Sequence, residues 1–297
     1  MKILITGAKG FIGSHLGNRL TELGHEVLGI DSLGNASENP TTFKWDAINV
    51  FQVAFKFNFD DYDAVIHLAA SINVDESIKY PHHYLKNNAE ATTLLLQRVK
   101  GENPKCKFIY ASSAEVYGSA RTAKMSEDHP LDPLSPYAVS KLAAEQMCKN
   151  FAQLYGMDIT VIRNFNTFGE YQRGGIYGGV IAKFANLAKE GKDWPVYGSG
   201  EQMRDYMYID QAVAGYVLAL ENKLPTIVNF GSGTPIRIID IANAIAKKFN
   251  VKVYHDKPRP NEVMRLEADV SRAMQYGYKV ETDFWKHLDQ YLEWIKT

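Results

Sequence analysis

The residues best suited to chemistry lie in the run Ser135-Pro136-Tyr137-Ala138-Val139-Ser140-Lys141. Ser135 is a good helix N-cap and Pro136 suits the first helical position, so Tyr137 and Lys141 fall one turn apart on the same helical face. A phenol with a free pKa of about 10 becomes a base near neutrality only if its phenolate gains roughly 4 kcal/mol of differential stabilisation. An ammonium one turn away is a source of that stabilisation, although the same spacing also describes an ordinary surface pair. The upstream segment favours chemistry. Phe108-Ile109-Tyr110-Ala111 reads as a strand that runs into Ser112-Ser113-Ala114-Glu115-Val116-Tyr117-Gly118. Open α/β sheets bind ligands at such carboxyl ends. Ser113 there can hold the oxygen that Tyr137 deprotonates.

These side chains need a sheet to bring them together, and the N-terminus supplies its first unit. Ile3, Leu4 and Ile5 read as a buried strand, and Ile12, Leu16, Leu20 and Leu23 recur at helical spacing. Between them, Gly7, Gly10 and Gly13 allow a tight turn, close approach of a pyrophosphate and close helix-strand packing. The next apolar run, Val27-Leu28-Gly29-Ile30, ends in Asp31, where a carboxylate meets adenosine ribose hydroxyls. No Arg or Lys follows within three residues, which favours NAD over NADP.

Strands at 2–6, 26–30, 64–68, 107–111 and 158–162 alternate with helices at 12–23, 84–99 and 137–155, the pattern of a parallel sheet covered on both faces. The long connection 32–61 holds a short edge strand, Phe43-Lys44-Trp45-Asp46. Past residue 165 glycines cluster, an amphipathic segment 180–190 and a helix 210–222 intervene, and Ile227-Val228-Asn229-Phe230 returns as a strand. The expected division is a nucleotide domain, 1–165 plus about 205–232, and a substrate lobe, 166–204 and 233–297.

The 297 residues carry a formal net charge of -1, so neither nucleic acid nor an anionic membrane is an expected partner. Cys106 and Cys148 fit as buried hydrophobes in a reducing compartment, and the cytoplasm is the expected location. The chain starts directly in a core strand, and no apolar run approaches the roughly 20 residues that span a bilayer. No metal is expected.

Together the glycine turn, Asp31, Ser113 and the Tyr137/Lys141 pair resemble the extended short-chain dehydrogenase/reductase family, in particular its UDP-glucose 4-epimerase-like nucleotide-sugar epimerases and dehydratases. Val65-Ile66-His67-Leu68-Ala69-Ala70, Arg163-Asn164-Phe165-Asn166, Arg204-Asp205-Tyr206 and Arg259-Pro260-Asn261-Glu262 extend the resemblance over nearly the whole chain, in the family's order. It implies an α/β fold, a Rossmann-type doubly wound parallel sheet with a smaller α/β C-terminal substrate lobe. Phe11, Ile12, Asp31, Asp46 and Ala47 would surround the adenosine half of NAD, and Leu68, Ala69, Ala70, Asn87 and Phe165 would line the rest of the channel. His67 is expected to pack inside the sheet without a catalytic role.

For a nucleotide-diphosphate sugar, the resemblance implies Arg204 and Arg259 as a diphosphate clamp. Asn166 would contact the diphosphate or sugar, Glu262 the nucleoside ribose, and Tyr197 could pack on the base. Asn261 departs from the usual glycine, and Gly179 stands where several epimerases carry a nucleotide-binding asparagine. The expected activity is 4-epimerisation through a transient 4-keto sugar: Tyr137 takes the 4-hydroxyl proton, Ser113 holds that oxygen, Lys141 assists Tyr137 and binds the nicotinamide ribose, and NAD is recycled. A 4,6-dehydratase or a decarboxylase using Glu115 is the alternative, although Ala114 lacks the acid or hydroxyl that dehydratases carry there. A non-catalytic dinucleotide sensor would be expected to lose Tyr137 or Lys141, and both remain. Apolar stripes Leu85/Leu95/Val99 and Leu142/Met147/Phe151/Leu154 belong to the helix pair that forms the family's dimer interface, so a homodimer is expected.

Overall fold

A computed structural model describes residues 1–32, 39–172, 174, 179–258 and 263–297. Strands β1 (Lys2–Thr6), β2 (Glu26–Asp31), β3 (Lys44–Ala47), β4 (Ala64–His67), β5 (Lys107–Ser113) and β6 (Ile159–Asn164) form one parallel sheet with the strand Ile227–Phe230. Its order is 227–230, β6, β5, β4, β1, β2, β3. The chain builds outward from β1 in one direction, then crosses back to β4 and builds outward in the other. That reversal puts the ends of β1 and β4 side by side, with Thr6 opposite His67 in register. A crevice for a ligand opens at such a switch point.

The strand residues are apolar on both faces because both faces are covered. Ile3, Ile5, Ile66 and Ile109 face a core that continues through the helix Ile209–Glu221 into the C-terminal helix Phe284–Lys296. Leu4, Val65, Phe108 and Tyr110 face a second core, closed by Leu95, Leu96 and Val99 and by Ala144 and Cys148 of the helix Pro136–Tyr155. The doubly wound sheet inferred from the sequence is therefore present.

Three local features differ from the sequence reading. The stretch expected only to hold an edge strand also contains the helix Val50–Lys56, started by a reciprocal capping box between Asn49 and Gln52. The expected helix 84–99 divides into Pro81–Tyr84, a wide turn Leu85–Glu90 and Ala91–Glu102. The boundary expected near residue 205 falls inside the strand Met203–Tyr208, which pairs with Pro235–Arg237, Arg265–Leu266 and Asn166–Phe168 in a separate small sheet. Trp194–Tyr197 and Val253–Asp256 form a two-stranded parallel ribbon. Among the described residues no helix is long and apolar enough to cross a membrane.

Candidate active site

The glycine turn is shaped by contacts that a side chain would destroy. Gly7 has φ +73, and a Cβ on it would lie 2.7 Å from the Ala69 amide nitrogen. A Cβ on Gly13 would lie 2.1 Å from the Gly7 carbonyl oxygen. Gly10 donates its amide to that same carbonyl at 3.0 Å and caps the 12-residue helix Phe11–Glu22 with no side-chain hydrogen bond. The first amides of that helix are thus left for an anion. Phe11 and Ile12 are half-buried beside them.

At the end of β2, the Asp31 carboxylate accepts the Lys9 amide at 2.9 Å and the Ser32 amide at 2.8 Å. Register pairs Ile30 with Asp46 and Asp31 with Ala47, which brings three of the five expected adenosine contacts, Asp31, Asp46 and Ala47, to one edge. Asp46 and Ala47 are exposed there. A bare helix start beside a fixed carboxylate fits a dinucleotide, with the diphosphate at the turn and a ribose at Asp31. Leu68, Ala69 and Ala70 leave β4 half-buried next to the turn, and the Asn87 amide donates to Ser71 Oγ at 3.1 Å.

At the same edge of the sheet, Ser113 ends β5, and its hydroxyl accepts the Glu115 amide at 3.2 Å. Ser135 Oγ accepts the Ala138 amide at 3.1 Å, as its N-cap role requires. Tyr137 and Lys141 are both buried. Burial pushes the Tyr137 phenol up to about 12; the Ser113 hydroxyl opposes this, and the Glu115 carboxylate adds to it. Burial brings the Lys141 ammonium down to about 7. Lys141 Nζ donates to the Ala111 carbonyl at 2.8 Å and lies 5.1 Å from the centre of the Tyr110 ring. Burial thus holds both groups toward their neutral forms.

Behind the site, residues without an assigned role form a buried polar layer. Arg163 pairs with Glu145 on the helix Pro136–Tyr155, and its Nη1 donates to Tyr117 Oη at 2.9 Å and to the Glu127 carbonyl at 2.9 Å. Glu145 also accepts Ser112 Oγ at 2.9 Å. His67 lies between Thr6 Oγ1 at 2.6 Å and Thr92 Oγ1 at 2.9 Å, and burial lowers it to about 3, so it is neutral. His67 packs inside the sheet as expected, whereas nothing in the local sequence pattern names Glu145, Tyr117 or Thr92 as partners. The Phe165 ring is buried 6.2 Å from that of Tyr117, and its amide donates to the Phe230 carbonyl at 2.9 Å.

On the substrate side, Arg204 donates to the Met203 carbonyl at 3.0 Å and the Val263 carbonyl at 2.6 Å. Asn166 donates to the Asp205 carbonyl at 3.2 Å. Asp205 itself is buried and accepts the amides of Ser232, Gly233 and Ala268 at 2.7, 2.8 and 2.9 Å, tying the small sheet to the loop after Ile227–Phe230. Tyr197 is half-buried and pairs with Asp256 in the ribbon. Gly179 is the N-cap of the helix Val180–Lys189. Arg259, Asn261 and Glu262 lie outside the described residues.

Residues 3–231 match the model of the NAD dependent epimerase/dehydratase family. The UDP-glucuronate 4-epimerase of Thermodesulfobacterium geofontis is 32% identical over 99% of this chain and 95% of its own. The structure of UDP-glucose 4-epimerase with UDP-glucose from Thermotoga maritima superposes with a TM-score of 0.94 at 27% identity, covering 100% of this chain and 99% of that one. TunA, an NAD-dependent NDP-hexosamine 5,6-dehydratase of tunicamycin biosynthesis, superposes with a TM-score of 0.89 at 31% identity, covering 99% and 97%.

Proposed function

The chain belongs to the NAD-dependent epimerase/dehydratase family, and on that premise we propose that it is a nucleotide-sugar 4-epimerase that recycles NAD within one catalytic cycle. The observation that carries this reading is the buried Tyr137 phenol held beside the Ser113 hydroxyl that ends β5, which acts on it to favour its ionised form. A sugar hydroxyl placed between them meets a donor and a proton acceptor at once. NAD, when bound, supplies the hydride acceptor and a positive ring that favours a phenolate.

This chain's residues do the remaining work. The Gly7-Gly10-Gly13 turn holds the diphosphate of the cofactor and Asp31 its adenosine ribose. Ser113 orients the 4-hydroxyl oxygen of the sugar, Tyr137 takes its proton, and Tyr137 returns that proton when the ketone is reduced on its other face. Lys141 binds the nicotinamide ribose and, charged or neutral near pH 7, can exchange protons with it. Arg204 and Arg259 clamp the substrate diphosphate, Asn166 contacts diphosphate or sugar, Glu262 the nucleoside ribose, and Tyr197 the base. UDP sugars are the first choice, because the aligned epimerases act on them.

Glu115 supports a second reading, dehydration or decarboxylation after the same oxidation, because its carboxylate acts electrostatically on Tyr137. Against it, the neighbouring Ala114 is buried and has no proton to give to a leaving hydroxyl. Incubation with UDP-glucose, UDP-glucuronate and UDP-N-acetylglucosamine plus NAD, with NMR of the products, separates them. A 4-epimer is expected; a 4-keto-6-deoxy sugar or loss of carbon dioxide would replace this reading with the second.

We also propose a cytoplasmic homodimer. Leu85 and Val139 are exposed on the helix pair expected at the interface, and both cysteines are free thiols. A monomeric mass at micromolar concentration would count against the dimer.

A further inference from the structure

Asn166 and Arg204, two of the side chains proposed to meet the substrate, stand on neighbouring strands, Asn166–Phe168 and Met203–Tyr208, which pair in parallel with Phe168 beside Tyr208. Both strands end there, and Glu170 ties that end to two helices. Its carboxylate accepts the Tyr208 Oη proton, and Gln290 Nε2 of the C-terminal helix Phe284–Lys296 donates to the same Oη at 3.1 Å. Burial and the Glu170 carboxylate push the Tyr208 phenol up, so it stays a donor. The Glu170 carbonyl is engaged elsewhere. It takes a hydrogen bond from His15 at 2.9 Å, and since a carbonyl only accepts, His15 Nε2 carries the proton.

His15 lies one turn after Phe11 on the helix Phe11–Glu22 that leaves the glycine turn, and the two ring centres are 5.8 Å apart. Tyr171 bridges that helix to the C-terminal one, its ring centre 5.7 Å from that of His15 and 5.2 Å from that of Trp294. In doing so it holds φ +63, a left-handed conformation that bulky residues rarely adopt. Gly169, two residues earlier, has φ +149, and a Cβ on it would lie 2.6 Å from Ile209 Cγ2. Backbone of this kind persists where contacts from several sides impose it. Here they come from the helix Phe11–Glu22, from the small sheet and from the C-terminal helix at once.

We propose that Glu170 is a positioning residue for the nucleotide sugar, fixing the strand pair that carries Asn166 and Arg204 against the helix that leaves the glycine turn. This rests on the reading of the chain as a nucleotide-sugar 4-epimerase. Glu170 acts through Tyr208 on one side and His15 on the other, and the Tyr171 ring holds the turn between them. The grip on the diphosphate is thereby kept in register with the cofactor.

The test uses the full chain with Glu170→Ala, Glu170→Gln, His15→Ala and the Glu170→Ala/His15→Ala double variant, with UDP-glucose and NAD as probes. The diphosphate is remote from the reacting carbon and unchanged by the reaction, so displacing its grip removes binding shared by ground and transition states. KM for UDP-glucose should therefore rise about tenfold in Glu170→Ala, with kcat and the calorimetric NAD affinity within about twofold. Glu170→Gln keeps an oxygen that accepts from Tyr208 Oη, so its KM should stay within about twofold of the wild type. The double variant should be no worse than the worse single one, because both break one tie. Should Glu170→Ala fail to fold, Tyr208→Phe removes the same hydrogen bond and carries the same expectation. An unchanged KM, a loss confined to kcat, no rescue by glutamine or full additivity would overturn the proposal.

If UDP-glucose is not turned over by the wild type, the epimerase reading has failed separately, and two measurements still judge Glu170. Calorimetry with UDP alone should show binding weakened about tenfold in Glu170→Ala and within about twofold of the wild type in Glu170→Gln. Amide hydrogen exchange should be faster at 166–171 and 203–208 in Glu170→Ala and unchanged at 108–111. Unaltered exchange at 166–171 would sink the inference whatever UDP does.

Discussion

The glycine cradle after β1 and the Ser113/Tyr137/Lys141 pocket after β5 lie at the same carboxyl edge of the parallel sheet, flanking β4, and are built by different means. In the cradle, Gly7, Gly10 and Gly13 shape the backbone, and the Asp31 carboxylate is held by two amides from its own neighbourhood. In the pocket, Ser113, Tyr137 and Lys141 come from two segments, and their protonation is dominated by burial. The cradle offers a fixed shape to charge brought from outside. The pocket keeps its own groups close to neutral until such charge arrives. Geometry that is local in sequence suits binding, whereas a buried phenol and amine whose ionisation can be shifted suit proton transfer.

Four measurements probe that contrast, ordered by size of effect. Tyr137→Phe removes the proton acceptor and should lower kcat about 10³-fold while leaving NAD affinity within about twofold, read by steady-state kinetics and calorimetry. A matching loss of NAD binding would show that the pocket also serves as cradle. Gly13→Ala does the converse. Its Cβ has no room beside the Gly7 carbonyl at 2.1 Å, so NAD affinity should fall about tenfold or more with a lower Tm. An unaffected affinity would mean that the turn does not hold the cofactor.

Third, Lys141→Met tests the cost of the buried amine. Its folded pKa is about 7 against 10.5 when unfolded, so the unfolded chain binds more protons across that window. Stability of the wild type without cofactor should therefore rise as pH rises from 7 to 10.5, and the variant should lose this rise in thermal melts. Tyr137, raised from 10.0 to about 12, works in the opposite direction only above pH 10, which separates the two. Last, Glu115→Gln should change epimerisation by less than about twofold if its carboxylate only raises the Tyr137 pKa. A much larger loss would move Glu115 into the chemistry.

The cradle was legible because its information is short-range. Glycine spacing, an apolar strand before it and a carboxylate one strand later are all visible in the first 31 residues, and the structure places Asp31 against the Lys9 amide. Tyr137, Lys141 and the Ser135 cap were legible for the same reason, being one helical start. The environment of that pair was not. Spacing suggested an ammonium acting on a phenol, whereas the lysine reaches the Ala111 carbonyl. Asn88 and Glu145 carried no local signal, since polar residues at helical spacing look alike whether they face water or a buried partner, and Arg163, though part of a matching run, gave no hint of its partner. The Asn49/Gln52 capping box could have announced the helix at 50–56.

By itself the sequence determined the alternation of strands and helices, the glycine turn before the first helix and the placing of Tyr137 and Lys141 one helical turn apart, because periodicity, glycine freedom and helix capping act within a few residues. Only the tertiary structure decided that β4 lies beside β1, that the Asn88 carboxamide ties Ser71 to Ser140 of the helix Pro136–Tyr155, and that burial acts on the protonation of Tyr137 and Lys141. Desolvation and hydrogen-bond partnership depend on what packs across the sheet, and residues 17 and 63 positions apart in the chain meet there, Asn88 with Ser71 and Thr6 with Ala69.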